Sequence, residues 1–346
     1  QGAMRSLGPV LDACAGASPE PSPIWLVESQ PSVRVWWMLD SAGDGMTWVR
    51  RLASYEATHS TSQNVRASWI HVLRDLGFQP RFVAADRLAE LLPVERPRCV
   101  VLPATIALSD RAAQALESYA RIGGTVVADH STGLYDEQLR RRPAGVLDEL
   151  FGIRARSLRW EHLRVREGRL QGSPAAAAGD VLPRAEHELR AELGERHHDG
   201  DAFAEQGPDR GHAIYLNAPV CEYASARLDP GRVAFARELR RRVRTALLRA
   251  GCREPCDVRG EGLPTCIERV PLVLRDGRRV LAIRLAALDA PRILGGLADG
   301  GPCKIAVTLP APRTLRHLGG GEIGDGAQFE LELDPFGALF LEQVGR

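Results

Sequence analysis

Residues 99–128 read CVVLPATIALSDRAAQALESYARIGGTVVA, and this stretch decides the fold. Cys99-Val100-Val101-Leu102 is a short, solidly apolar run stopped by Pro103, as expected of a strand covered on both faces. Ser109 is a good N-cap, and Asp110 places a negative charge in the first turn that follows. Ala112, Ala115, Leu116, Tyr119 and Ile122 then recur on one helical face until Gly123-Gly124 ends it. Thr125-Val126-Val127-Ala128 is a second apolar run. Strand, amphipathic helix and strand in this order predict two parallel strands joined by a helical crossover.

The same alternation extends outward. Val33 to Leu39 is mostly apolar, with two tryptophans, and predicts a buried strand. Gln63 to Leu76 puts Val65, Trp69, Val72, Leu73 and Leu76 on one helical face, with Gly77 as terminator. Arg81 to Ala84 predicts a short strand. Further on, Ala144 to Phe151 suggests a short helix and Ile153 to Leu170 one or two strands. Residues 174–211, rich in Ala, Gly, Asp and Pro, predict long loops, and His212 to Leu216 a last strand. Arg232 to Ala250 is a long helix with an apolar stripe from Val233 to Ala250. Its other side carries Arg237, Arg240, Arg241, Arg242, Arg244 and Arg249, expected to be a solvated face or to meet an acidic partner. After Gly251 the pattern turns to short alternating segments. Asp276-Gly277 between Ile267–Leu274 and Arg279–Leu285 signals a hairpin. Lys304–Leu309, Gln328–Leu333 and Ala338–Val344 add strands.

The expected architecture is therefore α/β, a doubly wound parallel sheet followed by a small antiparallel β domain. The boundaries are 1–23 for a tag remnant and linker and 24–220 for the α/β domain. A connecting helix takes 221–256 and the β domain 257–346. Gln1-Gly2-Ala3-Met4 looks like a cleavage and cloning remnant, so the chain is expected to be part of a longer protein whose compartment it does not reveal.

Composition narrows the function. The 346 residues are 44% hydrophobic and 26% charged, with 45 basic against 44 acidic residues and a formal charge of +1. That balance disfavours nucleic-acid binding by a broad basic surface. No apolar run approaches the length of a membrane span. Seven cysteines without regular spacing argue against a disulfide framework. Cys252-x3-Cys256 with Cys266 has the look of a metal knuckle, but no histidine sits close by. A disulfide or two free thiols is the better reading, and no metal is expected. Neither GxGxxG nor GxxxxGK[ST] occurs, so no nucleotide cofactor is expected.

In a doubly wound sheet, ligands bind beyond the carboxyl ends of the strands, where the strand order reverses. The residues expected there are Asp40, Asp44, Thr105, Asp129, His130, Ser131 and Tyr135, with His59 from the polar run Glu56 to Asn64. Asp129-His130-Ser131 has nucleophilic residue types, but adjacent residues do not converge as a triad, and no G-x-S-x-G elbow is present. They are read as crevice lining. Ser60, Thr61 and Ser62 suit helix capping. His197-His198-Asp199-Gly200-Asp201 lacks a third histidine at ligand spacing and is read as a solvated loop. No carboxylate pair for glycoside hydrolysis can be picked out on strand ends.

Cys99 to Ala104, Leu108-Ser109-Asp110, Leu116 to Tyr119 and Gly123-Gly124-Thr125 resemble the trimerisation domain of family 42 glycoside hydrolases, the β-galactosidases. His130 to Glu137 and Leu147 to Gly152 continue the likeness, and His212 to Asn217 is similar to that domain's closing strand. Ala306 to Pro310 through Phe340-Leu341 is similar to the small β domain that ends such enzymes. The resemblance implies a flavodoxin-like sheet related to class I glutamine amidotransferases. Those enzymes carry a nucleophilic cysteine after the strand matched by Thr125 to Ala128, where this chain has Asp129-His130-Ser131. It also implies that the catalytic glutamates lie on an N-terminal (β/α)8 barrel outside this chain, and that the module self-associates, as a trimer in the family. The expectation is a non-catalytic accessory and oligomerisation module of a protein acting on carbohydrate, without nucleic-acid or membrane partners. The alternatives are a polysaccharide-binding or structural module of a non-catalytic parent, and a stand-alone hydrolase using the strand-end crevice.

Overall fold

The computed structural model describes residues 8, 10–41, 60–129, 131–151, 153–156, 164–166, 169–171, 181–183, 195–197, 212–216, 220–260, 267–285, 302–334 and 337–344. They divide into two compact units. One takes Pro23–Val72 and Pro80–Cys252; the other takes Gln1–Ser22, Leu73–Gln79 and Arg253–Arg346.

Strand β1 (Ser18–Pro19) belongs to the second unit. The first begins with β2 (Ile24–Glu28), whose four leading residues are buried, and α1 (Gln30–Ser41) follows at once. This corrects the strand expected over Val33 to Leu39. Ser29 caps the helix, its Oγ accepting from Ser32 N–H (3.2 Å), and Pro31 is tolerated in the first turn. Ser32, Val35, Trp36 and Asp40 are buried while Val33, Trp37 and Met38 are exposed, a spacing of three to four and not of two. Helix α2 (Thr61–Asp75) has Val65, Trp69 and Val72 buried, and Gly77 at φ 83° donates to the Arg74 carbonyl (2.8 Å) as the chain leaves it.

Next come β3 (Arg81–Ala84), α3 (Leu88–Glu95), β4 (Cys99–Leu102), α4 (Asp110–Arg121) and β5 (Thr125–Ala128). Ser109 Oγ accepts from Ala112 N–H (3.2 Å), as its N-cap position predicts. Gly124 lets the chain turn tightly under Tyr119: a Cβ there would fall inside that ring, whose hydroxyl donates to the Pro97 carbonyl (2.8 Å). The segment expected to be a helix over Ala144 to Phe151 is a turn, with one helix-like bond from Phe151 N–H to Leu147 O (3.0 Å). Asp148 Oδ2 accepts from Gly145 N–H (2.8 Å) and so favours the turn over a longer helix.

Short strands β6 (Ile153–Arg156), β7 (Arg164–Arg166), β8 (Arg169–Gln171), β9 (Val181–Pro183) and β10 (Glu195–His197) follow. The last two are three-residue strands within 174–211, the stretch expected to form long loops. β6 pairs with β9 and β7 with β8, while β10 adds an antiparallel edge to β11 (Ala213–Leu216). The main sheet runs β10-β11-β5-β4-β2-β3, parallel from β11 to β3. Its core includes Trp25, Val100, Leu102, Leu116, Val126, Phe151 and Tyr215. Helices α5 (Tyr223–Ala226) and α6 (Val233–Arg249) close the unit. On α6, Ala236, Leu239, Val243, Ala246 and Leu247 are buried, while Glu238 pairs with Arg241 (2.7 Å) and Arg242 (3.1 Å) on the other side.

The second unit is a seven-stranded antiparallel sheet built from β1, β12 (Asp257–Arg259), β13 (Ile267–Val273), β14 (Arg279–Leu285), β15 (Cys303–His317), β16 (Glu322–Leu333) and β17 (Ala338–Val344). The order is β1-β13-β14-β17-β15-β12, with β16 paired to β15. The hairpin at Asp276-Gly277 forms as the sequence predicts, Gly277 adopting φ 84°. β15 and β16 are longer than their apolar cores suggest and turn through Gly319-Gly320-Gly321, all at positive φ. Leu281, Ile283, Ile305, Val307, Leu315 and Leu341 form the centre of this core. The residues read as a linker contribute as well: β1 pairs with β13, and Val10, Ala13 and Cys14 pack on Leu274, Val280 and Leu318.

Candidate functional site

The connection reverses direction between β2 and β4, so the carboxyl ends of these strands and of β5 are where a ligand is expected. Three segments emerge there: Ser29 into α1, Pro103 to Leu108 after β4, and Asp129 onward after β5.

The residues of this edge bond to one another. Ser29 Oγ donates to the Ala107 carbonyl (2.8 Å), and Ser32 Oγ accepts from Ala107 N–H (2.9 Å) while donating to Ser29 Oγ (2.8 Å). Two hydroxyls on the first turn of α1 thus satisfy both backbone groups of one residue, as a neighbouring strand would. Trp36 Nε1 donates to the Ala104 carbonyl (2.7 Å), and Ala104 N–H donates to Asp129 Oδ1. Trp69 Nε1 donates to Asp129 Oδ2 (2.7 Å). Thr132 Oγ1 donates to the Asp129 carbonyl (2.8 Å), and Ser131 N–H to the Tyr215 hydroxyl (3.2 Å). Gly133 N–H donates to Thr105 O (2.9 Å), and Tyr135 exchanges backbone bonds with Ile106 and Leu108.

This arrangement is a plug. Asp129 is 1% exposed, and Thr105, Ser131 and Thr132 are as deeply buried. With both carboxylate oxygens of Asp129 accepting N–H groups and the side chain sealed from solvent, it is placed to brace three segments, not to move a substrate proton. Ala104 (φ 38°) and Ser131 (φ 60°) hold left-handed backbone at this edge, and their bonds account for it. Ser131 Oγ is buried and has no hydrogen-bond partner among the described residues.

Of the sequence candidates, Thr105, Asp129 and Ser131 meet in this plug. Tyr135, half-buried, joins it through its backbone. Asp40 does not lie after a strand. It sits near the end of α1, where Oδ2 accepts from Thr61 N–H and Oδ1 from Thr61 Oγ1 (2.8 Å each), capping α2 from a distance. Ser60 adds the local cap, accepting from Gln63 N–H (3.3 Å). Asp44, His59 and His130 lie outside the described residues. Ser29, Ser32, Trp36, Trp69 and Tyr215 were missed. The Ser-Gln-Pro start of α1 was a visible signal for Ser29; the indoles were counted only as apolar surface.

At the opposite edge, burial pushes the Cys99 thiol well up, and neighbouring Cys252 adds to this. Burial raises Cys252 to about 12 against a pull from Arg98, and it raises the Tyr119 hydroxyl too. In the antiparallel unit, burial likewise holds Cys256 at about 12. Such protonated thiols are poor nucleophiles and poor metal ligands. Cys252 and Cys256 are free thiols, and Cys266 lies outside the described residues. Among the described residues no group of three or more His, Cys, Asp or Glu side chains is placed to hold a metal ion.

No protein-family model matches the chain. No curated protein matches it by sequence. Solved structures share its fold. The β-galactosidase from Bacillus circulans sp. alkalophilus superposes with a TM-score of 0.55 at 13% identity, covering 98% of this chain and 44% of its own. The cold-adapted β-galactosidase from Rahnella sp. R3 gives 0.54 at 13% identity, covering 99% and 44%. A catalytic mutant of a family 42 β-galactosidase from G. stearothermophilus gives 0.50 at 13% identity, covering 94% and 41%. The chain thus spans less than half the length of the enzymes whose fold it shares.

Proposed function

We propose that this chain is the non-catalytic accessory and assembly portion of a larger glycoside-hydrolase-like protein acting on carbohydrate. Hydrolysis in that protein falls to a (β/α)8 barrel outside these residues. One observation carries the reading: nearly the whole chain matches β-galactosidase structures, yet covers only 44% of them. The plugged sheet edge agrees with it, because its buried Asp129 is committed to Trp69 and Ala104.

The finer description of the α/β unit, flavodoxin-like and related to class I glutamine amidotransferases, draws support from strand order. Numbered by sequence, the parallel strands run second, first, third, fourth, fifth. Self-association, as a trimer, belongs to the same proposal, and the exposed Val33, Trp37 and Met38 of α1 offer an apolar surface for it. Two measurements test the reading. The chain alone should not turn over aryl-β-galactosides, and sedimentation velocity should show reversible oligomers as concentration rises. A strictly monomeric protein would remove the assembly role. Turnover abolished by His130→Ala would replace the whole reading with a self-contained hydrolase.

A further inference from the structure

Within the antiparallel unit, a cavity of about 880 Å³ opens on β12, β15 and β16. That volume lies within the range of roughly 300–1,000 Å³ typical of small-ligand pockets. Its lining includes Arg259, Lys304, Ala306, His317, Glu330 and Glu332. Register explains their convergence. Arg259 lies opposite Ala306 across β12–β15, Ala306 opposite Glu330 across β15–β16, and Lys304 opposite Glu332 one step along. Directly paired residues, and residues two apart on a strand, project from the same face of a sheet. One face therefore carries a guanidinium, an ammonium and two carboxylates around a single methyl side chain, and small Ala306 leaves a hollow between its longer neighbours.

Three of these groups, Lys304, Glu330 and Glu332, are also uncommitted. Elsewhere on this unit opposed charges close into ion pairs, as in Arg278–Glu342 (3.1 Å) and Arg284–Glu268 (2.7 Å). Lys304 and Glu332 face each other directly, yet among the described residues neither they nor Glu330 form a side-chain hydrogen bond or ion pair. Arg259 is held at one nitrogen by Asp257 (2.7 Å), leaving its other N–H groups for a ligand.

We propose that this cavity is a binding site for a neutral saccharide. Glu330 and Glu332 stand against Arg259 and Lys304 in the lining, and Asp257 already holds one side of Arg259, so the site carries no excess of positive charge to select an anion and presents mixed charge to a neutral ligand. It offers strong acceptors beside strong donors, which suits adjacent hydroxyls that each donate and accept. The preference for a saccharide over another neutral polar ligand rests on the carbohydrate role proposed above. The site itself is independent of assembly or hydrolysis.

Calorimetric titration of the full chain with lactose and with maltotriose tests this, with phosphate and glutamate as charged counter-probes. Saturable binding of at least one saccharide is expected. It should weaken by about tenfold or more, the equivalent of about 1.4 kcal/mol, in Glu330→Gln/Glu332→Gln and in Lys304→Ala. Because these positions are exposed, the melting temperature should stay unchanged with all three substitutions, and Asp276→Asn on the β13–β14 hairpin serves as the neutral control. No saturable saccharide binding, binding indifferent to the three substitutions, or selective binding of phosphate or glutamate would each overturn the proposal. A monomer that still binds sugar at this cavity would sink only the assembly role.

Discussion

Trp69 on α2 donates its indole N–H to Asp129 at the end of β5, over 2.7 Å and across sixty residues of sequence. The same carboxylate accepts Ala104 N–H from the end of β4. One buried acid thus joins a helix to two neighbouring strand ends at the place where open α/β sheets usually receive a ligand.

Trp69→Phe leaves a buried carboxylate oxygen short of a donor, and Asp129→Asn turns an amide N–H toward a donor. Each should lower the unfolding free energy by about 1–3 kcal/mol in urea denaturation. Because both remove the same bond, the double variant should cost less than the sum by about 0.5 kcal/mol or more. Strict additivity would mean that the contact contributes nothing.

Ser32 matters for a different reason: its Oγ is the acceptor for Ala107 N–H. Ser32→Ala should strand that buried donor at a cost of about 1–3 kcal/mol. Ser29→Ala should cost about 1 kcal/mol for the lost N-cap and little more, because Ser32 Oγ can still donate to the Ala107 carbonyl (3.0 Å). Exchange of the Ala107 amide, followed by NMR, should accelerate in Ser32→Ala. An unchanged rate would show that another group takes the proton.

Much of this fold was legible because burial writes itself into periodicity. β4, β5, β11, α4 and α6 are short apolar runs or stripes closed by Ser, Gly or Pro, and they form where those signals stand. Val33 to Leu39 misled because Val, Trp and Met on the outward face of α1 imitate a continuous apolar strand. Ser29 and Pro31 were the better guide. The plug was not legible as a unit. Its bonds run from indole N–H groups and serine hydroxyls to a carboxylate and to backbone carbonyls 60 to 78 residues away, and spacing does not encode such pairs. Asp129, Ser131 and Thr105 were placed at the right edge by topology, but that the edge closes on itself depends on Trp36 and Trp69, whose polar atoms a count of apolar positions ignores.

Gly124 tests how tightly the β4–α4–β5 crossover is packed. Its α-hydrogens lie under the Tyr119 ring, so Gly124→Ala forces the ring outward and weakens the Tyr119–Pro97 bond. Overpacking of this kind costs about 1–3 kcal/mol. The companion Tyr119→Phe removes only the hydroxyl and should cost less. If thermal unfolding ranks the two variants the other way, the hydroxyl and not the packing dominates at this turn.

Alkaline stability should report the buried thiols. Cys252 and Cys256 are pushed up to about 12 chiefly by burial, partly offset by Arg98 and by Arg269 respectively. An unfolded cysteine titrates near 8.5. A group whose folded pKa is raised holds fewer protons unfolded than folded between these two values, so stability falls as pH rises there. Unfolding free energy should therefore be insensitive to these thiols below pH ~8.5 and decline from there toward 12, by at most about 1.4 kcal/mol per pH unit per thiol. Cys252→Ala and Cys256→Ala should each flatten that slope, although both lower stability at neutral pH by opening a small cavity. A thiol-specific reagent at neutral pH should label these two residues far more slowly in the native protein than in urea. Rapid native labelling, or an alkaline slope untouched by either substitution, would show that the thiols are reached by solvent and not held neutral by their surroundings.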